Sequence, residues 1–355
     1  MNSYVSISSY CWIIASRATI GVAVGLGFEN RLNPAWVCRD CQPSDEDGIL
    51  ELFNIVFGKN RSRELWEWQY LKAPAGQAVI KLLLDGNRMI GHYAVVPVEI
   101  TVDGKTVLAA QSIDTMVHPQ YRGQGIFTHL AKLVYREISA KRYCCVYGFP
   151  NVNSYQGFVK GLGWLGFGMI DAFVAEAKNL RTHSTSSPSR TVFRLRQFDE
   201  RADVLWTSSA ERQKVSVKRT TQYLNWRFAL KPGTEYALFG LVDERDNLVG
   251  YAVTKFYRER DLLTGHIVDF MCKDNQDITM LLGACYSNLL DGNASRVSCW
   301  MDARSQVANQ LRTDGFRTET MQAFFGVKPL TDLAEYSTLL SYDNWQITMG
   351  DSDVF

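Results

Sequence analysis

The feature that most constrains this chain is that it repeats itself. LWEWQYLKAPAG (65–76) returns as YLNWRFALKPGT (223–234), with Trp68 over Trp226, Tyr70 over Phe228 and Pro74 over Pro232. MIGHYAVV (89–96) returns as LVGYAVT (248–254), QSIDTMVHPQ (111–120) as HIVDFMCKDN (266–275), and GLGW (161–164) as DGFR (314–317). One such match arises easily by chance, but four in the same order imply two copies of one unit. Between the copies, KNLRTHSTSSPSR (178–190) is polar, Ser/Thr-rich and carries a proline, which is linker chemistry. A length of 355 residues suits two domains. The expected layout is an N-terminal extension over 1–35, a first domain over 36–178, a linker over 179–190, a second domain over 191–335 and a tail over 336–355.

Within the first copy the periodicity changes along the chain. SDED (44–47) before ILELFNIVFG predicts an N-capped helix with acids in its first turn, and RELWEWQYL (63–71) predicts a second helix. Apolar and alternating runs follow, with Asp85-Gly86 and Asp103-Gly104 between them, so an antiparallel meander is expected. From Gly125 onward Ile126, Phe127, Leu130, Leu133, Val134 and Ile138 share one helical face. CCVYGF (144–149) then reads as a buried strand, 153–162 as a helix and FGMIDAFVAEA (167–177) as a last strand.

Several function classes are disfavoured. A formal net charge of +1 supplies no field for nucleic acid, so no nucleic-acid partner is expected. Eight dispersed cysteines suit a reducing, cytoplasmic setting. Cys38 and Cys41 form a C-x-x-C without a second ligand pair, and the five histidines are scattered, so no metal is expected. The run YCWIIASRATIGVAVGLG (10–27) lacks the charge pattern of a signal peptide and is short, glycine-rich and interrupted by Arg17 for a membrane span. Residues 1–35 are therefore read as a poorly ordered extension, and as the sole route to any membrane contact.

The chemistry concentrates in HPQYRGQGIF (118–127). A strand that ends in a glycine turn and passes at once into a helix exposes unpaired main-chain N–H groups at the positive helix end, a cradle for phosphate oxygens. No G-K-[ST] follows, which excludes a P-loop. The G-x-G-x-x-G at Gly161, Gly163 and Gly166 has its helix before it and its strand after it, the reverse of a dinucleotide site. VHPQYRGQGIFTHLA (117–131) resembles the acetyl-CoA signature of the GNAT N-acetyltransferases, R/Q-x-x-G-x-G/A, on Arg122, Gly125 and Phe127. Phe127 departs from the pattern and is expected to narrow the pyrophosphate pocket. The resemblance covers about residues 40–180 and recurs weakly over 190–330, where Lys273 to Asp277 replaces the glycine turn.

The resemblance implies an α/β (α+β) fold of two tandem GNAT-like domains, each a mixed, largely antiparallel sheet flanked by helices, the second degenerate. It implies acetyl-CoA as co-substrate. Main-chain amides of Gly123, Gln124, Gly125, Ile126, Phe127 and Thr128 beside Arg122 would hold the pyrophosphate, and Met116 and Val117 would pair with the pantetheine arm. Asn151 matches the family's strand-end Asn. An amide near Met116 or Val117 would polarise the thioester carbonyl.

A proton acceptor is needed for an ammonium substrate, and Asp114, in an apolar strand, is the expected base or amine anchor. Its counterpart Asp269 lies in the copy without a glycine turn, which leaves a shared structural role open for both; His92 and His118 are further choices. Tyr155 is the expected acid for the departing thiolate. The tryptophans at 66, 68 and 226 are read as a packed corner rather than a sugar platform. The expected activity is acetyl or short-acyl transfer to a primary amine of a small molecule, with the second copy serving as substrate wall, packing partner or homodimer surface. The rivals are a non-catalytic scaffold and a membrane-associated, longer-chain N-acyltransferase.

Overall fold

The computed structural model describes residues 32–183, 186–210, 213–331 and 336–355. Nearly all of the expected extension, 1–31, lies outside the described residues. In chain order the first half supplies β1 (Trp36–Asp40), α1 (Glu46–Phe57), α2 (Arg63–Tyr70), β2 (Val79–Asp85), β3 (Arg88–Val102), β4 (Lys105–Val117), α3 (Ile126–Ala140), β5 (Cys145–Gly148) and β6 (Leu165–Glu176). There follow β7 (Ser186–Ser187), β8 (Arg190–Leu195), α4 (Arg201–Ala210), β9 (Val215–Val217), α5 (Thr221–Leu224), β10 (Ala237–Asp243), β11 (Leu248–Glu259), β12 (Leu262–Cys272), α6 (Ile278–Asp291), β13 (Arg296–Cys299), α7 (Gln306–Thr313), β14 (Arg317–Pro329) and β15 (Trp345–Gln346).

Thirteen of these strands form one path, β1-β2-β3-β4-β5-β14-β6-β13-β12-β11-β10-β8-β7, while β9 bridges β3 and β15. Most pairs are antiparallel; β4 with β5, β12 with β13 and β9 with β15 are parallel. The path reads alike from both ends until its middle, where the halves exchange their last strands: β14 lies on β5, and β6 lies on β13. The boundary drawn at 179–190 is thus a covalent link across a shared sheet, with β7 and the start of β8 inside it.

Local chemistry explains the parts. Asp103 and Gly104 both have positive φ (47° and 79°), as the two-residue hairpin between Val102 and Lys105 requires. In α3 the predicted face is buried: Ile126, Leu130, Val134 and Ile138 are at most 1% exposed and pack on Leu83, Ile90, Tyr93 and Val95. Each such side chain contributes about 1.5–3 kcal/mol. Gly91 on β3 lets the helix come that close, since a Cβ there would stand 2.6 Å from Ile126 Cγ2. On the opposite face Ile49, Leu52, Trp66 and Tyr70 from α1 and α2 cover Ile80, Leu82, Ala94 and Ile113.

The contact between halves is two-fold in character. Trp68 and Trp226 stack at 4.7 Å, and each indole N–H donates to the other's main-chain carbonyl, at 2.7 and 3.0 Å. Residues 336–355, set apart above as a tail, are packed into this centre: Leu339, Trp345, Ile347, Met349 and Phe355 are buried with Tyr147, Trp300 and Phe325.

Candidate active site

The site begins with a fault in the sheet. On β3–β4 the register runs His92↔Met116 and then Ala94↔Ile113, so Asp114 and Thr115 together oppose Tyr93. Asp114 takes the left-handed conformation (φ 43°), and the bulge bends the strand. β4 pairs with β5 only at Ala110↔Val146 and Gln111↔Tyr147; past that point the two strands part. The opening is a cleft of about 430 Å³ walled by Ser112 to Thr115 on one side and Gly148 to Asn151 on the other. Phe53, Phe57, Phe149, Phe158 and Trp164 make it strongly aromatic.

The glycine turn lies at the end of the same strand. A short 3-10 turn (Pro119–Tyr121) leads into exposed Arg122, Gly123 and Gln124, and both Gly123 and Gly125 have φ of 79°. The first main-chain bond of α3 runs from His129 N–H to the Gly125 carbonyl at 3.0 Å. Among the described residues, the amides of Gly123 through Thr128 have no hydrogen-bond partner. They stand at the positive end of a 15-residue helix and can bind an anion. The Phe127 ring turns into the core, 4.9 Å from Phe158 and against Gly157, where a Cβ would come within 2.8 Å of it. The glycine at 157 accommodates the aromatic where the family pattern has a small residue.

The matching turn of the second half is built differently. Asp277 holds the N-cap position of α6 without a side-chain capping bond, and Arg190 Nε donates to both its oxygens at 3.0 Å. A buried, ion-paired carboxylate therefore stands where the first half has a glycine.

Asp114 is held on every side. Arg61 donates to both carboxylate oxygens (Nη2 to Oδ1, 3.2 Å), Tyr70 donates its hydroxyl hydrogen, and the His92 Nδ1–H donates to the Asp114 carbonyl at 2.9 Å. Asp269 mirrors it, accepting from Arg219 Nε (3.0 Å), Tyr251 (2.9 Å) and Thr348 (2.8 Å). His92 is fully buried, and desolvation pushes its pKa down to about 4. His118 is also buried, and burial and Arg88 lower its pKa; neither histidine lines the cleft.

The other expected residues divide. Asn151 lines the cleft, but its Oδ1 accepts from the Asn153 and Ser154 amides, which starts the turn into the helix that follows. Tyr155 stacks on Phe324 at 4.1 Å with its hydroxyl against Gly166, outside the cleft lining. Met116 is buried in the core and Val117 partly so, while Ser112 to Thr115 present β4's unpaired edge. Ser112 ends a buried chain: Trp164 Nε1 donates to the Tyr135 hydroxyl, which shares a hydrogen bond with Tyr93, and Tyr93 shares one with Ser112, at 2.8, 2.8 and 2.9 Å. The Cys41 thiol is pushed up to about 11 by burial, and the Cys38 thiol is raised in the same way, so neither is an activated thiolate.

A second cavity, about 210 Å³, lies beneath Trp68 and Trp226 and is lined by Arg227, Lys231, Lys255 and residues 352–354. Burial and neighbouring cations lower Lys231 to about 6 and Lys255 to about 8. Arg227 donates to the main-chain oxygens of Gly350, Ser352 and Phe355, pinning this stretch in place. Arg61, Arg227 and Asp353 carry no motif of their own. Arg61 was readable by extending the repeat backwards, since Arg61 and Arg219 each precede a hydroxyl helix cap, Ser62 and Thr220.

The first half therefore combines a bulged strand that splays from its parallel neighbour with a glycine turn at a helix start. Residues 38–165 match the family model described as "Acetyltransferase (GNAT) domain". Residues 38–165 thus carry a GNAT-type acetyltransferase domain. No curated protein matches its sequence. Among solved structures, a conserved protein of Enterococcus faecalis V583 described as a probable N-acyltransferase aligns with TM-score 0.66 at 13% identity, over 83% of this chain and 73% of that one. A GCN5-related N-acetyltransferase from Anabaena variabilis gives 0.65 at 13%, over 83% and 73%. Saccharomyces cerevisiae N-myristoyltransferase with bound myristoyl-CoA gives 0.59 at 11%, over 84% and 80%.

Proposed function

We propose that the protein transfers an acyl group from acyl-CoA to a primary amine of a small molecule, by direct attack within the first half. The observation that carries this reading is the run of unpartnered amides from Gly123 to Thr128 just past the end of β4, the strand whose Ser112 to Thr115 stretch walls the cleft. In this reading those amides and Arg122 hold the pyrophosphate, the pantetheine arm runs along the free edge of β4, and main-chain N–H groups of that edge polarise the thioester carbonyl. Such preorganised donors are worth about 3 kcal/mol in the transition state. The amine enters from the second cavity. Asp114 acts as a positioning residue: its ion pair and hydrogen bonds fix the bulge that opens the cleft. The second half, with the ion-paired Asp277 in place of the helix-start glycine, serves as the wall of the amine site, which makes the chain a tandem pair with one working copy.

Acetyl-CoA is the expected donor. The aromatic cleft lining favours a second reading, a longer acyl chain, and the yeast structure bound to myristoyl-CoA supports weighing it. Thermal melting with and without acetyl-CoA and myristoyl-CoA tests both. Binding raises the melting temperature by mass action; no shift with either at millimolar concentration rejects the reading. Thiol release with a panel of small primary amines then identifies the acceptor.

A further inference from the structure

The two cavities meet at four residues: Arg61, Ile113, Asp353 and Val354. Ile113 and Val354 are apolar, and Arg61 is committed to Asp114. Among the described residues the Asp353 carboxylate has no side-chain partner at hydrogen-bond or ion-pair distance. It lines both cavities where they join, and the surrounding chain holds it in place through Arg227. A carboxylate held only by its own main-chain amide, between the donor cleft and the amine cavity, is where a transfer step needs a proton acceptor, within reach of a nitrogen that faces the thioester.

We propose that Asp353 is the catalytic base of the transfer, the residue that accepts the first proton of the acceptor's ammonium group. This rests on the acyl-transfer reading above. The balance is simple. The ammonium gives one proton to Asp353, and the freed lone pair forms the C–N bond at the thioester carbonyl. The C–S bond breaks, and the second nitrogen proton ends on the departing sulfur. Desolvation and the nearby Asp114 charge raise the Asp353 pKa to about 6, while Arg61 and Lys231 pull against them. Lys59, Arg227 and Lys255 line the cavities further along. A base of that pKa is largely ionised at neutral pH yet basic enough to accept a proton.

The test uses the full chain, acetyl-CoA or myristoyl-CoA, and the amine that gives the fastest thiol release. Wild-type kcat/KM is expected to fall below about pH 6 as Asp353 protonates. Asp353→Asn should lower kcat/KM by about 100-fold or more and abolish that limb, with the acyl-CoA melting shift intact; Asp353→Glu should restore much of the rate and keep a limb. An Asn variant with wild-type rate and limb overturns the assignment while leaving acyl transfer standing. If the Asn variant loses the melting shift, the Glu variant decides: a recovered limb supports Asp353, and its absence with binding intact overturns it. Wild-type protein that releases no thiol with either donor overturns the acyl-transfer reading and this assignment together.

Discussion

At the residue scale, Arg61 and Arg219 each stand seven positions before a tryptophan of the matched pair, and each closes on an aspartate of the third strand that follows it. The Arg61 and Asp114 side chains are 12% and 7% exposed, so removing one strands the other in poor solvent. Asp114→Ala should cost about 3–5 kcal/mol in urea unfolding, and Asp114→Asn less. As a positioning effect, both should also weaken acyl-CoA binding, and because the Asp114 charge helps to raise the Asp353 pKa, both should shift the acid limb of the rate to lower pH. His92 makes a pH prediction. Its pKa falls from an ordinary 6.5 to about 4 on folding, because burial penalises the cation. Between those values the unfolded chain binds a proton that the native chain refuses, so stability falls as pH drops from 6.5 toward 4. The slope from this one group approaches about 1.4 kcal/mol per pH unit. Urea unfolding at pH 7 and pH 5 should show a smaller difference for His92→Gln than for wild type; equal differences would reject the account.

At the scale of elements, the helix start depends on two left-handed glycines. Gly125→Val forces a β-branched residue into φ near 79°, at a cost of about 1–2 kcal/mol. It also sets a side chain beside the exposed amides, so the acyl-CoA melting shift should vanish while the helical signal by circular dichroism stays. A retained shift would place the cradle elsewhere. The glycine turn, the amphipathic face of α3 and the hairpin at Asp103-Gly104 were legible because each rests on local rules of period and φ. The bulge at Asp114 was not, because a register shift is a relation between two strands and leaves no mark in one. Phe127 shows the same limit: its fit depends on Gly157, thirty positions along the chain.

At the scale of the whole molecule, the exchanged strands join the halves. β5 and β6 both pair with β14, and β6 also with β13, so residues 36–178 alone would lose the partners of one edge of β5 and both edges of β6. That fragment should aggregate, and the intact protein should unfold in one calorimetric transition; a soluble, folded fragment would contradict this. Trp226→Ala removes the stack on Trp68 and leaves the Trp68 carbonyl without its donor. A loss of about 3–5 kcal/mol is expected, spread over both halves in hydrogen exchange.

The amino-acid sequence by itself determined the repeated unit, the strand–turn–helix that opens an anion cradle and the class of cofactor that suits it, since these are written in spacing and backbone preference over a few neighbouring residues. Tertiary structure alone decided the strand exchange, the commitment of Asp114 to Arg61 and Tyr70, and the meeting of two cavities at Asp353. Those depend on groups far apart in the chain, whose pairing follows from packing and charge in three dimensions and not from any local pattern.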